Sequence, residues 1–364
     1  CGDDEEADLR VGVILVGDET EGYTLAHMDG IEIAVKNIKD KLGKTVDISY
    51  KKSVPESDAV GTNAKDLIAS GCSVIINNSY GHQYYYGDII EKNPDVTFVA
   101  MTGDLAKLSG LKNYKNAFTD VYESRYLSGV VAGKKLAKLI AAEKLSADNM
   151  DGQNYKIGYI GAYNYAEVVS GYTAFFLGVR YVCPSATMDV TFTNSWYDPT
   201  LEQEGAIKLI NNGCKLISLH ADSMGAPTEC QNNGVPFVFY NGSAKDACPD
   251  TYIVASYINW APYMTYSMQA AMNGEEIAAD WVGTLENGGV ALKELNEAVA
   301  AEGTAEKLEE VKAMLLDGSL KVFDTATFTV GGETLTSYMA DVDDMGDFVP
   351  ETEAIADGYF HESE

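Results

Sequence analysis

Residues 213–222 repeat the pattern of an earlier stretch, residues 71–80, and this internal repeat restricts the possible folds more than any other feature of the chain. Both stretches open with Gly-Cys, continue through aliphatic and β-branched residues, and stop at polar or aromatic side chains. Similar strands precede them, at residues 10–17 and 156–161. Two halves with one strand order predict two similar α/β lobes. A ligand is expected between the lobes, against the carboxyl ends of both sets of strands.

Strand alternates with helix along most of the chain, which predicts parallel sheets covered on both faces. After a first strand at residues 11–16, apolar residues recur every three or four positions and predict a helix that Gly43 ends. These apolar positions are Leu25, Met28, Ile31, Val35, Ile38 and Leu42. A polar loop between the halves is expected at residues 146–154, and a late strand at residues 323–330 is expected to add to one lobe's edge.

The domain boundaries follow from this pattern. Residues 1–8 are expected to form a tether. Lobe 1 is assigned to residues 9–124 plus about 256–284, and lobe 2 to residues 125–255 plus about 285–364. The 364 residues of the chain are enough for two domains of ordinary size.

The charge balance restricts the possible partners. The chain has 26 Lys and Arg against 55 Asp and Glu, a net charge of −29. Nucleic-acid binding needs a basic face, so this composition argues against a nucleic-acid partner. It also argues against adhesion of the protein surface to anionic lipid. No apolar run in the sequence is long enough to cross a bilayer.

The first residue is Cys1, and an acidic stretch follows at residues 3–8. Such a start is typical of a processed bacterial lipoprotein, whose signal peptide has been removed and whose cysteine carries the lipid. The alternative is a sequence that begins at an arbitrary point. We expect the lipoprotein, with Cys1 as the lipid anchor and the protein held at the cell membrane, facing outside the cytoplasm.

The other cysteines are odd in number, so at least one is unpaired; they are Cys72, Cys183, Cys214, Cys230 and Cys248. Cys72 and Cys214 begin buried strands, where a free cysteine behaves as a small apolar residue. An exported protein could pair Cys230 with Cys248. The spacings do not match a zinc site.

No catalytic constellation is visible in the sequence. The four histidines do not form a zinc-protease motif, and neither a nucleophile elbow nor a phosphate-cradling loop is present. The glycines after the first strand do not make a dinucleotide fingerprint. We therefore expect a binding protein, not an enzyme, with no cofactor and no metal.

Aromatic and hydrogen-bonding side chains stand at the predicted strand ends and helix starts. The candidate ligand-binding residues are Tyr23, Asn78, Ser79, Tyr80, Thr102, Gly103, Trp196, Asp222, Asn241 and Trp260. Flat rings that can sandwich a ligand, several amides and one carboxylate suit a planar, neutral, hydrogen-bonding molecule. Asp222 could accept from an exocyclic amine or a ring N–H of that molecule.

Several of these residues also have a purely structural explanation. Tyr23 suits packing at a helix start, and Trp196 suits packing of a turn. Asp198 is better explained as the cap of the helix that Pro199 begins than as a ligand group. His220 at a strand end is more often a structural histidine. Asp222 is the sharper candidate, because a carboxylate at the carboxyl end of a strand needs a partner.

Six short pieces of the chain together resemble one known family. They begin at Gly22-Tyr23-Thr24, Asn78-Ser79-Tyr80-Gly81, Tyr122-Glu123-Ser124-Arg125, Thr193-Asn194-Ser195-Trp196-Tyr197-Asp198-Pro199, His220-Ala221-Asp222-Ser223 and Asn259-Trp260-Ala261-Pro262. The chain resembles the basic membrane protein (BMP) family, the purine-binding lipoprotein receptors of bacterial ABC transporters, over about residues 9–350. The Trp196 and Trp260 pieces are more similar to the branch that binds free purine bases than to the nucleoside branch.

The resemblance implies a fold and a function. It implies a type I periplasmic-binding-protein fold: two Rossmann-like lobes with parallel sheets, joined by three crossings that act as a hinge. It implies a purine base or nucleoside as ligand, a membrane permease as partner, and a lipid anchor. It carries ligand contact onto Tyr23, Ser79, Tyr80, Trp196, Asp222, Asn241 and Trp260. Tyr23 or Tyr80, with Trp196 or Trp260, would stack on the ring, and Asp222 would supply selectivity.

Two other functions stay open on the sequence. One is a sugar-binding receptor or a sensor of the same fold, since sugar sites also use aromatic stacking. The other is a nucleoside hydrolase-like enzyme, against which the missing catalytic constellation counts.

Overall fold

The computed structural model describes residues 6–164, 166–221, 223–329, 333–334, 336 and 360–362. Two predicted functional residues, Cys1 and Asp222, lie outside these ranges. The chain divides into two compact units. The first unit comprises Cys1–Asp120 and Ile258–Val290, and the second comprises Val121–Tyr257 and Ala291–Glu364.

The first unit is built on a six-stranded sheet. With strands numbered along the whole chain, they are β1 Leu9–Ile14, β2 Val46–Lys51, β3 Val74–Asn77, β4 Thr97–Met101, β5 Tyr114–Thr119 and β12 Asp280–Gly283. Their order across the sheet is β12-β5-β4-β3-β1-β2, and every pairing is parallel. The helices of this unit are α1 Gly22–Leu42, α2 Ala59–Ala69, α3 Ile89–Lys92, α4 Leu105–Ser109 and α9 Ala261–Asn273, with a 3₁₀ helix at Tyr80–Tyr85.

Among the residues described in the second unit, eight strands form its sheet. Its strands are β6 Met150–Asp151, β7 Asn154–Gly161, β8 Ala186–Phe192, β9 Ile217–Leu219, β10 Phe237–Tyr240, β11 Tyr252–Ile258, β13 Val290–Leu292 and β14 Phe360–Glu362. Their order is β13-β11-β10-β9-β7-β8-β14, with β6 paired to β7 as an antiparallel strand. The helices are α5 Val121–Ala141, α6 Ala166–Val182, α7 Pro199–Asn211, α8 Gly225–Asn233 and α10 Thr304–Asp317, with a 3₁₀ helix at Ala147–Asn149.

The repeated Gly-Cys pairs have the same local structure in both units. Gly71 and Gly213 end α2 and α7 in the left-handed region, with φ of +86° and +91°. The next residue, Cys72 or Cys214, donates its N–H to the carbonyl of the leucine five residues earlier, at 3.1 and 3.0 Å. A glycine is suited to this conformation because it lacks Cβ. Both cysteines are buried at the start of a core strand, as the sequence predicted.

The first helix, α1, confirms the helical pattern read from the sequence. Its start is capped by the Glu21 side chain, which accepts from two backbone N–H groups. Its end is Gly43, at φ +65°, whose N–H donates to the Lys39 carbonyl at 2.9 Å. Ile31 and Ile38 are fully buried on one face of the helix, in keeping with the predicted apolar stripe.

The strand predicted at residues 323–330 is wrong over its described residues, 323–329. They form turns and bends instead of a strand. The Asp324 carboxylate accepts from the Ala326 N–H at 3.0 Å, and its carbonyl accepts from the Thr327 N–H at 2.9 Å. This local side-chain bond competes with strand pairing. The edge of the second sheet beside β8 is occupied by β14.

The loop predicted between the halves, residues 146–154, is a structured connection inside the second unit. Ser146 and Asn149 form a reciprocal cap around the short 3₁₀ helix, and β6 then pairs with β7. The Asn149 side chain also donates to the Gly213 carbonyl at 2.9 Å. The polar residues that suggested a loop are therefore used as caps and turns.

The five described cysteines are buried free thiols; they are Cys72, Cys183, Cys214, Cys230 and Cys248. Within the described part of the chain, no helix combines the length and the apolar character needed to cross a membrane.

Candidate ligand-binding residues

Three predicted residues of the first unit meet at the carboxyl edge of its sheet. Asn78 follows β3, Thr102 follows β4, and Tyr23 lies in the first turn of α1, after the loop that leaves β1. The Tyr23 hydroxyl donates to the Asn78 carbonyl at 2.5 Å and lies 3.3 Å from Thr102 Oγ1. The half-buried Tyr23 ring is therefore held across the ends of β3 and β4. The carboxyl ends of these parallel strands thus bring the three residues together, and their contact with a ligand stays a prediction.

The Asn78 side chain is engaged by the protein itself. It is fully buried, its Oδ1 accepts from the Val16 N–H at 2.8 Å, and its Nδ2 donates to Thr24 Oγ1 at 3.3 Å. These two bonds tie the end of β3 to the loop after β1 and to the start of α1. Asn78 thus stabilises the carboxyl edge of the sheet where Tyr23 lies.

Trp260 and His27 form a buried stack behind Tyr23. The His27 ring lies 5.0 Å from the Trp260 ring at an interplanar angle of 28°, and 4.7 Å from Tyr23 in an edge-to-face arrangement. Burial lowers the pKa of His27 from 6.5 to about 4, so the ring is neutral at pH 7. Gly30 permits this packing, because a Cβ there would come within 2.8 Å of the Trp260 Cβ.

Two carboxylates hold the segment that begins with Ser79 and Tyr80. Glu56 accepts from the Ser79 hydroxyl at 2.5 Å and from the Gly81 N–H at 2.8 Å. Asp104 accepts from the Tyr80 hydroxyl at 2.9 Å. Tyr80 stays 45% exposed although its hydroxyl is engaged.

The loop after β4 has little room for side chains. Thr102 adopts a left-handed conformation, with φ of +61°, which is uncommon for a β-branched residue. At Gly103 a Cβ would come within 2.7 Å of the Ala100 Cβ and 2.8 Å of the Gln83 Oε1. That Gln83 oxygen also accepts from the backbone N–H of Asp104. A glycine is needed here for the close approach of the loop to the 3₁₀ helix.

Trp196 is an exposed aromatic residue at the edge of the second unit's sheet. It lies between β8 and α7 and is 47% exposed, and its ring contacts those of Tyr163 and His220 at centroid distances of 5.2 and 6.5 Å. Asp198 caps α7, since its carboxylate accepts from the Leu201 N–H at 2.9 Å. The structural explanation of Asp198 is therefore confirmed.

A buried carboxylate, Glu202, joins two loops at this edge. It accepts from the Asp198 N–H at 2.9 Å and from the Ser223 N–H at 3.3 Å. Burial raises the pKa of Glu202 above its usual value of 4.5. Glu202 thus ties the loop that carries Trp196 to Ser223, in the loop that follows β9.

The ends of β9 and β10 bring His220, Tyr240 and Asn241 together. The His220 and Tyr240 rings lie 4.9 Å apart at 41°. Asn241 follows directly in a left-handed conformation, with φ of +59°. Beneath them lies Arg125 of α5, which is fully buried, donates to the Leu219 carbonyl at 2.8 Å and stacks 4.0 Å from the centre of the Tyr240 ring.

Sequence reasoning missed four residues of these two edges, namely Glu56, Asp104, Glu202 and Arg125. Asp104 and Glu202 stand near helix starts, where a capping role was the available signal. Arg125 lay within a motif that the resemblance used, but nothing local marked it as buried. Among the described residues, no group of three or more His, Cys, Asp or Glu is placed to hold a metal ion.

Known proteins are similar to this chain in sequence and in structure. The chain is 30% identical over 273 residues to a purine-binding protein of Brucella abortus, covering 74% of this chain and 70% of that protein. It is 27% identical over 308 residues to a Haloferax volcanii protein provisionally named an ABC transporter glucose-binding protein, covering 84% and 72%. A solved ABC transporter solute-binding protein of Conexibacter woesei matches with a TM-score of 0.68 at 20% identity, over 86% of this chain and 98% of that one.

The structural likeness confirms the predicted α/β fold with two lobes and parallel sheets, that of periplasmic binding proteins. The match in sequence is more specific than the likeness in fold. Residues 19–320 match a protein family that is described as PnrA-like ABC transporter substrate-binding proteins. The chain therefore belongs to the family of PnrA-like ABC transporter substrate-binding proteins.

Proposed function

We propose that this substrate-binding protein captures a purine base or a purine nucleoside for import. The observation that carries the proposal is the set of accessible aromatic rings beside amide and hydroxyl groups at the carboxyl edge of each sheet. These rings are Tyr23, Tyr80 and Trp196. The purine-binding protein of Brucella abortus, at 30% identity, supports the same ligand class.

Stacking supplies the affinity in this proposal. An aromatic face contributes ~1–3 kcal/mol per stacked base and tolerates different bases. Tyr80 and Trp196 offer such faces, at 45% and 47% exposure. Trp260 is only 1% exposed, so its contribution is to hold His27 and Tyr23 in place.

Polar groups supply the selectivity. The proposed polar contacts are Ser79, Thr102, the backbone at Gly103, Asn241 and Asp222. Asp222 would accept from a ring N–H or an exocyclic amine. Replacing it by alanine should weaken binding by ~1–3 kcal/mol, as expected when a polar group of the bound ligand loses its hydrogen-bond partner.

The partner follows from the family. An ABC transporter substrate-binding protein delivers its ligand to a membrane permease and works outside the cytoplasm. Attachment to the membrane through a lipid on Cys1 stays a prediction.

The first test is a thermal-shift screen followed by calorimetric titration. The panel contains adenine, guanine, hypoxanthine, their ribosides, and the sugars glucose, ribose and galactose. A ligand that binds only the folded protein raises the melting temperature by mass action. We expect shifts with purines and none with sugars. Chromatography of recovered ribosides should show no released base, which also tests the hydrolase alternative.

Trp196 allows a sharper test by fluorescence. Ligand stacking on its exposed ring should quench tryptophan emission, and Trp196→Phe should lose most of this quenching and about tenfold in affinity. Trp281→Phe is the matched control, because that residue belongs to β12 and its ring packs 5.0 Å from Tyr263. Equal quenching in the wild type and Trp196→Phe would remove Trp196 from the ligand contact.

A sugar is the second candidate ligand. The Haloferax volcanii relative that is provisionally named as glucose-binding aligns with 84% of this chain, more than the purine-binding relative does. Micromolar binding of glucose, with no purine binding, would replace the purine proposal with this one.

A further inference from the structure

Arg125 is a buried cation at the edge where β9 and β10 end. Its side chain is 0% exposed, although it lies in a protein with a net charge of −29. It forms no ion pair with another residue that the structure describes. A buried charge without a carboxylate is costly, so it needs other compensation.

That compensation comes from the ends of two neighbouring strands. Nη1 donates to the carbonyl of Leu219, the last residue of β9, at 2.8 Å. The guanidinium stacks 4.0 Å from the ring centre of Tyr240, the last residue of β10. Tyr159, on β7, lies farther away, with its ring centre 5.9 Å from the guanidinium carbon. A planar guanidinium is suited to bonding a carbonyl and stacking on a ring at the same time.

Arg125 contacts the last residues of β9 and β10, and the edge of the sheet begins with the residues that follow them. His220 follows Leu219, and its ring packs 4.9 Å from Tyr240. Asn241 follows Tyr240, and a tight turn places the Gly242 N–H on the Tyr240 carbonyl at 2.7 Å. The left-handed backbone of Asn241 is strained for a residue with a side chain, and it persists only where its surroundings fix it.

Helix α6 packs against Arg125 and His220. Gly171 lies against both side chains, since a Cβ there would stand 3.1 Å from His220 Nδ1 and 3.8 Å from Arg125 Nε. Arg125 Nε and Nη2 have no hydrogen-bond partner among the described residues. Core filling alone would be better served by an apolar side chain of similar length, because it would leave no donors unsatisfied.

We propose that Arg125 is a positioning residue, which clamps the ends of β9 and β10 so that the edge beginning at His220 and Asn241 keeps its ligand-binding geometry. This inference rests on the proposed binding of a ligand at this edge. Arg125 acts through Tyr240 and the Leu219 carbonyl and does not itself touch the ligand.

The test is a set of ligand titrations on folded variants of the full chain. Arg125→Met removes the charge and keeps most of the length, and it should weaken purine binding at least tenfold. Arg125→Lys keeps the charge without the planar stack, and its loss should be smaller. Arg180→Met is the matched control: Arg180 on α6 bonds the carbonyl of Ala186 at the start of β8, so its removal should change affinity less than twofold.

A double-variant cycle separates positioning from direct contact. Because Arg125 acts partly through Tyr240, combining Arg125→Met with Tyr240→Leu should weaken binding by clearly less than the product of the two single losses. Losses that multiply, or unchanged affinity in Arg125→Met, would overturn the proposal. If the wild type binds glucose instead of purines, the purine proposal fails, and the same cycle is measured with glucose.

Hydrogen exchange without ligand gives an independent readout. In Arg125→Met, amides at residues 219–221 and 240–242 should lose at least tenfold in protection, while β7 and β8 keep theirs. A loss spread over the whole second sheet would mean that Arg125 only stabilises the unit, and it would overturn the positioning role. If Arg125→Met does not fold, the same measurement is made on Arg125→Lys.

Discussion

His27 stacks on Trp260 in the interior of the first unit, and this position makes its protonation costly. Burial lowers its pKa from 6.5 in the unfolded chain to about 4 in the folded one. The folded state therefore binds fewer protons between these values, and its stability is complete above pH 6.5 and is lost as the pH falls towards 4. At 1.36 kcal/mol per pKa unit, the contribution of His27 is about 3 kcal/mol.

We expect this pH dependence to disappear in His27→Gln. Urea unfolding of the wild type and the variant at pH 7 and pH 5 measures the free energy of unfolding, and the comparison cancels the carboxylates that both proteins share. The wild type should lose about 1–2 kcal/mol more than the variant between the two pH values. Equal losses would show that His27 titrates normally in the folded protein.

The residues of the two edges differ in how well their positions could be predicted from the sequence. The sequence placed Asn78 and Thr102 at strand ends and Tyr23 at the start of a helix, and the structure shows the Tyr23 hydroxyl within hydrogen-bonding distance of both. Arg125 and Glu202 were not predicted, because a charged residue within a helix reads as solvent-exposed. Their burial depends on where α5 and α7 pack, which no local pattern encodes.

At the scale of elements, the two Gly-Cys turns allow a matched comparison. Gly71 and Gly213 have nearly the same φ, so an alanine at either position is strained by ~1–2 kcal/mol. At Gly71 the nearest neighbour of an added Cβ is the flexible Arg10 side chain, at 3.3 Å. At Gly213 it is the Asp148 carbonyl oxygen, at 2.0 Å.

Gly213→Ala should therefore destabilise the protein more than Gly71→Ala. We expect a loss of about 1–2 kcal/mol for Gly71→Ala and more than about 3 kcal/mol for Gly213→Ala. Chemical denaturation followed by circular dichroism measures both variants under the same conditions. Similar losses would mean that the 3₁₀ segment around Asp148 moves away at little cost.

Most elements were predictable because helix and strand periods recur in this chain with clear end signals. Gly43 ends α1 where expected, and the Gly-Cys turns precede β3 and β9. The failure at residues 323–330 has a local cause. Alternating residues there suggested a strand, but the Asp324 carboxylate bonds the backbone two residues on and favours a turn.

At the scale of the whole molecule, the repeated strand order was enough to predict two α/β lobes. The fold could be predicted because it depends on the burial pattern of many residues at once. The identity of the ligand depends on a few polar groups whose positions must be right to within a fraction of an ångström. The sequence shows which residues can supply such groups, for example Ser79 and Asn241, but it does not give the positions of their atoms.

The net charge of −29 leads to a prediction about ligand charge. A protein with this balance repels anions over distances set by the Debye length, about 30 Å at 10 mM salt and 8 Å at physiological ionic strength. A neutral base or nucleoside is not affected by this repulsion, whereas a nucleotide is. We therefore expect guanosine to bind about tenfold more tightly than guanosine monophosphate at 10 mM NaCl.

Calorimetric titration at 10 and 200 mM NaCl tests this prediction. Added salt screens the repulsion, so the affinity for the monophosphate should rise while that for guanosine stays constant within about twofold. The matched control is deoxyguanosine, which changes the sugar without adding charge. A monophosphate that binds more tightly than guanosine at low salt would show that a local cation overrides the charge of the whole molecule and would make nucleotides the better candidate ligands.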